Sequence, residues 1–221
     1  MTPPLVLDID GTITRPDGSI DPRTFDRLRA WDAPVVLATG KAFPYPVALC
    51  HFVGIESLVV AENGGVVAAR DELSIEGDRD AAEAVARAYS EAGYGHGWGA
   101  LDTVNRWRET EVAVSREMPL RELERIAAEH GLEVVDTGYA YHVKEPSVTK
   151  GRGVSVVAEL LDADLAAFVA IGDSVNDVST FEVVGTSYAV ANADEAALSA
   201  ADRVTEAPYS DGTFEVLDRL E

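Results

Sequence analysis

Residues 5–14 read LVLDIDGTIT. Leu5, Val6 and Leu7 are apolar and partly β-branched, which suits a strand covered on both faces, and nothing inside such a strand accommodates an unpaired charge. Asp8 and Asp10 therefore lie at its carboxyl end, where Gly11-Thr12 breaks the run. Outward from this stretch the same grammar recurs. DPRTFDRLRAWD and PYPVALCHFVG carry helical patterning, while PVVLAT and SLVVAE are short apolar runs. KGRGVSVVAELLD, FVAIGDS, DVSTFEVVG, SYAVAN, DEAALSAAD and RVT resume the alternation near the end of the chain. Strands alternating with amphipathic helices at this spacing predict βαβ units and a parallel sheet.

The fold class is therefore α/β: a Rossmann-like parallel sheet core with helices on both faces. Residues 1–77 and 149–221 are its expected two parts. Between them, over 78–148, the texture changes. DRDAAEAVARAYSEAG and MPLRELERIAAEHG read as helices, the second ending at a glycine cap, and EVAVS and EVVDTGYAYHVKE read as strands. This predicts an α+β cap domain inserted into the parallel core. GYGHGWGA (93–100) lacks the strand-then-helix context of a phosphate loop and reads as a flexible connection, with His96 and Trp98 as packing or hydrogen-bonding residues. His51, His130 and His142 stand apart from any second His or Cys, which argues against zinc.

Composition narrows the function classes. Asp and Glu number 39 against 18 Lys and Arg, a formal net charge of -21. A field of that sign repels nucleic acid and anionic membranes, so neither is an expected partner. The acids are scattered through ordinary helices, which suits a halophilic protein whose self-repulsion is screened by salt. No run reaches bilayer-spanning length and the start lacks a basic leader with an apolar signal core, so the expectation is a cytoplasmic protein. The single cysteine, Cys50, has no activating motif around it and reads as a buried inert thiol. Three of the basic residues are lysines: Lys41 and Lys150 sit in Thr/Gly-rich turns, and Lys144 reads as a strand-surface residue.

In open parallel sheets the ligand sits beyond the carboxyl ends of the strands. Asp8, Asp10, Gly11 and Thr12 follow the first strand, and Thr39, Gly40 and Lys41 follow PVVLA. Asn63-Gly64-Gly65 follows LVVAE, Asp173, Asn176 and Asp177 follow FVAIG, and Lys150 opens a helix. Several carboxylates in one pocket each raise the cost of ionising the next, and a divalent cation resolves the conflict. Oxygen donors of this kind suit Mg²⁺. Thr39, a lysine and turn amides are the donors a phosphate needs. Together they point to phosphoryl transfer to an aspartate, and spacing alone does not say which one. Singly, DG, ND and TG are also ordinary turn dipeptides.

At these residues the chain resembles the haloacid dehalogenase-like superfamily. DIDGT is similar to its first motif, the Thr39 turn to its second, Lys150 to its third and GDSVND (172–177) to its fourth. An insert between the second and third motifs resembles the Cof-like subfamily IIB. The closing stretch is similar to that subfamily's ending, with Asn192 and Asp211-Gly212 in recurrent turns. The resemblance implies that Asp8 is nucleophile and metal ligand and that Asp10 is general acid and base, with its carbonyl on the metal. It implies that Asp173 completes the Mg²⁺ site, that Asp177 binds directly or through water, and that Thr39, Gly40 and Lys150 hold the phosphoryl group. The turns DIDGTIT, ATGK, AENGG and VTKG are similar to those of short archaeal members that hydrolyse 2-phosphoglycolate, so a small phosphorylated metabolite of that kind is the expected substrate. Arg106, Arg108 and Lys144 are candidates to read its carboxylate. A sugar-phosphate phosphatase or phosphohexomutase is the nearest alternative, and a non-catalytic phosphoacceptor or sensing domain is the alternative from another class.

Overall fold

The computed structural model describes residues 2–221. Its main sheet has eight strands: β1 (Leu5–Leu7), β2 (Val35–Ala38), β3 (Leu58–Ala61), β4 (Val66–Ala69), β5 (Glu72–Ile75), β9 (Val169–Gly172), β10 (Thr186–Ala189) and β11 (Arg203–Val204). Their spatial order is β11-β10-β9-β1-β2-β3-β4-β5. The pairs from β11 to β3 are parallel, whereas β4 and β5 return antiparallel. β1 sits between β2 and β9, with Leu5 opposite both Val35 and Val169. Strands from both ends of the chain thus share the centre of one sheet.

Alternation along β1 sorts the two faces. Leu5 and Leu7 join Leu37, Val59 and Ile171 in one core, packed on α1 (Arg23–Arg29), α2 (Pro44–Val53) and α8 (Tyr209–Leu220) through Leu28, Cys50, Val53, Phe214 and Leu217. Val6 joins Val36, Val60 and Ala170 in the other, packed on α5 (Lys150–Leu161), α6 (Val178–Phe181) and α7 (Glu195–Ala200) through Val154, Val157, Phe181 and Ala197. Burying both faces is what allows the near-continuous apolar strands.

A second sheet, of order β6-β8-β7, is antiparallel and comprises β6 (Val112–Ser115), β7 (Glu133–Asp136) and β8 (Ala140–Lys144). It buries one face against α3 (Arg79–Glu91) and α4 (Leu120–Glu129), with Val85, Tyr89, Leu123, Ile126, Tyr141 and Val143 in a core of its own. Asp78 caps α3 by accepting from the Ala81 amide at 2.9 Å. Among the described residues no helix is long and apolar enough to cross a membrane.

Four readings of the sequence need correction. The β4–β5 hairpin has no counterpart in the sequence pattern, because its outer strand is largely exposed and carries no clear alternation. Lys144 is buried, with Nζ donating to Glu133 Oε1 and to the Val148 carbonyl, both at 2.7 Å. Residues 93–100 are tied down rather than free: the Ser115 amide donates to His96 O at 2.8 Å and Trp98 Nε1 to Ala113 O at 2.8 Å. His96 and Trp98 do act as hydrogen-bonding residues. Asp211 and Gly212 lie in the first turn of α8 and not in a separate turn. Cys50 is buried, and burial pushes its thiol up to about 11.

Candidate active site

The parallel ladder delivers Asp8. Its amide still pairs with Ile171 O at 3.0 Å, and its side chain emerges just past the last strand residue, almost fully buried. The chain then turns over Ile9, whose carbonyl accepts from Ile13 N at 3.1 Å, while Gly11 N donates to Thr14 Oγ1 at 2.8 Å. Gly11 has φ +84°, and a Cβ built there would stand 2.1 Å from Asp173 Oδ2. Only glycine both adopts that conformation freely and lets the Asp173 carboxylate approach the turn.

Lys150 is the first residue of α5, whose N-cap Thr149 accepts from Arg152 N at 3.2 Å. Its Nζ, fully buried, donates to Asp8 Oδ1 at 2.6 Å and to Asp177 Oδ1 at 2.7 Å. The other Asp177 oxygen accepts from the Asp173 and Ser174 amides at 3.0 and 3.1 Å, which fixes the loop after β9. Thr12 Oγ1 donates to Asp173 Oδ1 at 3.3 Å. Gly64, with φ +108°, packs the β3–β4 turn against Thr149; a Cβ there would lie 2.1 Å from the Thr149 carbonyl oxygen.

Asp8, Asp173 and Asp177 each offer an oxygen within 4.8 Å of the others. Burial pushes the Asp8 carboxyl up to about 7, with Asp177 and Asp10 adding to the rise and Lys150 opposing it. Burial likewise pushes Asp173 up to about 9, aided by Asp8 and Asp177. Burial alone would lower the Lys150 ammonium, yet Asp177 and Asp8 hold it above the usual lysine range. One ammonium against three carboxylates, two buried and one half-buried, leaves negative charge uncompensated once all three are ionised. An all-oxygen donor set with that deficit fits a hard divalent cation.

These groups open into a cavity of about 580 Å³. Asp10 lies on its wall, half exposed, with Oδ2 3.0 Å from Lys41 Nζ. Thr39 and Gly40 line it as well, and Thr39 Oγ1 accepts from the Lys41 amide at 3.1 Å. The structure therefore gathers Asp8, Asp10, Thr39, Gly40 and Asp173 around one space, with Lys150 and Asp177 directly behind Asp8. Of the candidate carboxylate readers, Arg108 lines the cavity, whereas Arg106 is exposed outside it and Lys144 is buried elsewhere. Sequence reasoning gave no site role to several wall residues, among them His142 on β8, Tyr139 at the β7–β8 hairpin, Asp194, and Tyr209 at the start of α8. Asn192 holds the first turn in place, its Nδ2 donating to Gly11 O at 3.0 Å.

A family model described as haloacid dehalogenase-like hydrolase matches residues 5–91 and 121–217, most of the chain. The chain belongs to the haloacid dehalogenase-like hydrolases. A relative from Natronomonas pharaonis named phosphoglycolate phosphatase is 58% identical over 99% of this chain and 98% of its own. One of the same name from Halorubrum lacusprofundi is 60% identical over 100% and 98%. With such likeness over whole chains, this haloacid dehalogenase-like hydrolase is a phosphatase. Its fold is similar to that of a solved Thermoplasma acidophilum protein, with TM-score 0.86, 22% identity, and coverage of 100% of this chain and 98% of that one. A Bacteroides thetaiotaomicron haloacid dehalogenase-like hydrolase aligns with TM-score 0.80 and 21% identity over the whole of both chains. The family model leaves out residues 92–120, the stretch that carries Arg108 and Glu111.

Proposed function

We propose that this phosphatase hydrolyses 2-phosphoglycolate to glycolate and inorganic phosphate through a phosphoaspartate on Asp8. The observation that carries the mechanism is the Asp8 carboxylate itself. It is buried at the edge of the cavity, with Oδ1 held by Lys150 and Oδ2 left for the substrate phosphorus or a cation. The substrate is supported by the names of relatives that match this chain end to end.

In this reading Thr39 Oγ1, the Gly40 amide and Lys150 orient the phosphoryl oxygens. Asp8 attacks phosphorus; the P–O bond to the glycolyl oxygen breaks as Asp10 gives that oxygen its proton, and glycolate leaves. Asp10, now a carboxylate, takes a proton from water, which attacks the phosphoaspartate, releases phosphate and restores Asp8. Lys41 holds Asp10 at the cavity wall through both halves of the cycle. Asp8, Asp173 and the Asp10 carbonyl would hold Mg²⁺, and Asp177, whose two oxygens already accept from Lys150 and the loop amides, would reach it through water. When bound, that cation supplies positive charge against the phosphoryl oxygens.

Phosphate release from a panel of small phosphate esters in high potassium chloride, with Mg²⁺ or EDTA, tests the proposal for wild type and Asp8→Asn. Phosphoglycolate should be the best substrate, and EDTA and Asp8→Asn should each abolish turnover. A preference for a sugar phosphate would overturn the substrate, and isomerisation of one without phosphate release would point to a mutase. Activity surviving in Asp8→Asn would overturn the mechanism.

A further inference from the structure

The substrate proposed above is anionic at both ends, and the cavity it enters is bordered by Asp8, Asp10, Asp173 and Asp194. A carboxylate is repelled from such a space unless a cation faces it. Among the described residues lining the cavity, the basic ones are Lys41, Arg108 and His142. Lys41 is engaged at the opening turn, its Nζ 3.0 Å from Asp10 Oδ2. Arg108 and His142 converge on one buried carboxylate: Glu111 Oε1 accepts from His142 Nδ1 at 2.8 Å and from Arg108 Nη1, and Glu111 Oε2 accepts from Asn63 Nδ2 at 2.8 Å. Arg108 Nε donates to Val104 O at 3.1 Å. These bonds leave Arg108 Nη2 and His142 Nε2 as the polar atoms of two cavity-lining side chains with no hydrogen-bond partner among the described residues.

Glu111 resists protonation. Burial works against its charge, but His142 and Arg108 prevail and hold the carboxyl down to about 2. Glu111 Oε1 at 2.8 Å and Asn63 Nδ2 at 3.2 Å both lie against His142 Nδ1, which leaves Nε2 as the nitrogen open to a ligand. Position also fits. In phosphoglycolate three bonds separate phosphorus from the carboxyl carbon, so whatever reads the carboxylate must stand beside the turn that holds the phosphate. His142 Cε1 is 3.3 Å from where a Cβ on Gly40 would lie, and Gly40 follows Thr39. The cluster is also tied to the fourth motif, since Asn176 Nδ2 donates to Asn63 Oδ1 at 2.9 Å.

We infer that Arg108 and His142, braced from behind by Glu111, form the cradle that selects the substrate's carboxylate. In this cradle Arg108 Nη2 and His142 Nε2 face the carboxylate, and both side chains are held from behind by the one Glu111 carboxylate. This rests on the phosphoglycolate reading and adds the residues that would enforce it.

The test compares kcat/KM for 2-phosphoglycolate with that for its uncharged amide, carbamoylmethyl phosphate, in wild type, Arg108→Gln, His142→Gln and Lys41→Met. Either cradle variant should lower the acid-over-amide preference at least tenfold, chiefly through KM. A merely structural role would slow both substrates alike and leave the ratio intact. If the glutamine variants melt below the assay temperature, Arg108→Lys and His142→Asn take their place. A wild type that prefers the acid, with variants that keep the preference, overturns the cradle alone. The cradle also falls if Lys41→Met abolishes the preference and the cradle variants do not. A wild type indifferent to the charge overturns the phosphoglycolate reading along with it.

Discussion

Lys150 Nζ stands 2.6 Å from Asp8 Oδ1, an ion pair buried between residues 142 positions apart in the chain. The same ammonium reaches Asp177, so its removal strands two carboxylates at once. Breaking one partner of a buried pair costs about 3–5 kcal/mol. Lys150→Met is therefore expected to lower unfolding stability by about that much at pH 8, measurable by urea denaturation. It should also lower kcat by roughly 10²–10³, the usual effect of removing one donor to a developing oxyanion. A variant with wild-type stability would mean that the carboxylates find other partners.

Metal binding should be linked to pH. In the metal-free protein Asp8 and Asp173 are pushed up to about 7 and about 9, above the ordinary carboxylate range of the unfolded chain. The folded state then holds more protons than the unfolded one between about pH 4 and pH 9, so these groups cost stability increasingly as pH rises through that window. A cation that needs both ionised reverses the cost. Mg²⁺ is therefore expected to raise Tm more at pH 8.5 than at pH 5.5, with protons released on binding. Equal Tm shifts at the two pH values, measured against EDTA controls, would contradict this.

Gly11→Ala should be far more damaging than a surface methyl. The new Cβ would collide with Asp173 Oδ2 and the backbone would be held at φ +84°. Displacing Asp173 should weaken Mg²⁺ at least tenfold, read from the Mg²⁺ dependence of both activity and Tm. Near-normal affinity would show that the Asp173 carboxylate has room to move aside.

Salt should stabilise the fold. The net charge is -21, and relatives more than half identical come from halophilic archaea. Surface pairs such as Arg125–Glu122 and Arg23–Asp211 weaken under screening, but repulsion summed over an excess of acids weakens more. Tm should rise between 0.1 and 2 M potassium chloride. A fall would give the surface pairs the larger share.

The parts of the site that could be read from sequence are those carried by local pattern. Asp8 and Asp173 each end an apolar run, which a parallel sheet turns into proximity, and Lys150 stands out where lysine is scarce. The cavity's far wall has no such pattern. His142 stands alone in the sequence because its partners, Glu111 and Asn63, lie 31 and 79 residues away and meet it only in the folded chain. Lys144 looks solvent-facing in an alternating strand, yet Glu133 and the Val148 carbonyl draw it inward. The β4–β5 hairpin turns at Arg70-Asp71, with Arg70 at φ +57°, and lacks the Asn-Gly or Asp-Gly signature that announces such turns.

The central position of β1 also sets an order of assembly during synthesis. Its neighbour β9 is made more than 150 residues later, so the apolar face of β1 leaves the ribosome long before half of its cover exists. The inserted module, with its own core and contacts confined to a shorter span, can close while the sheet around it is still open. The nucleophile proposed at Asp8 is among the first residues translated and among the last to acquire its setting. A nascent chain stalled before α5 would carry a folded module and no competent site.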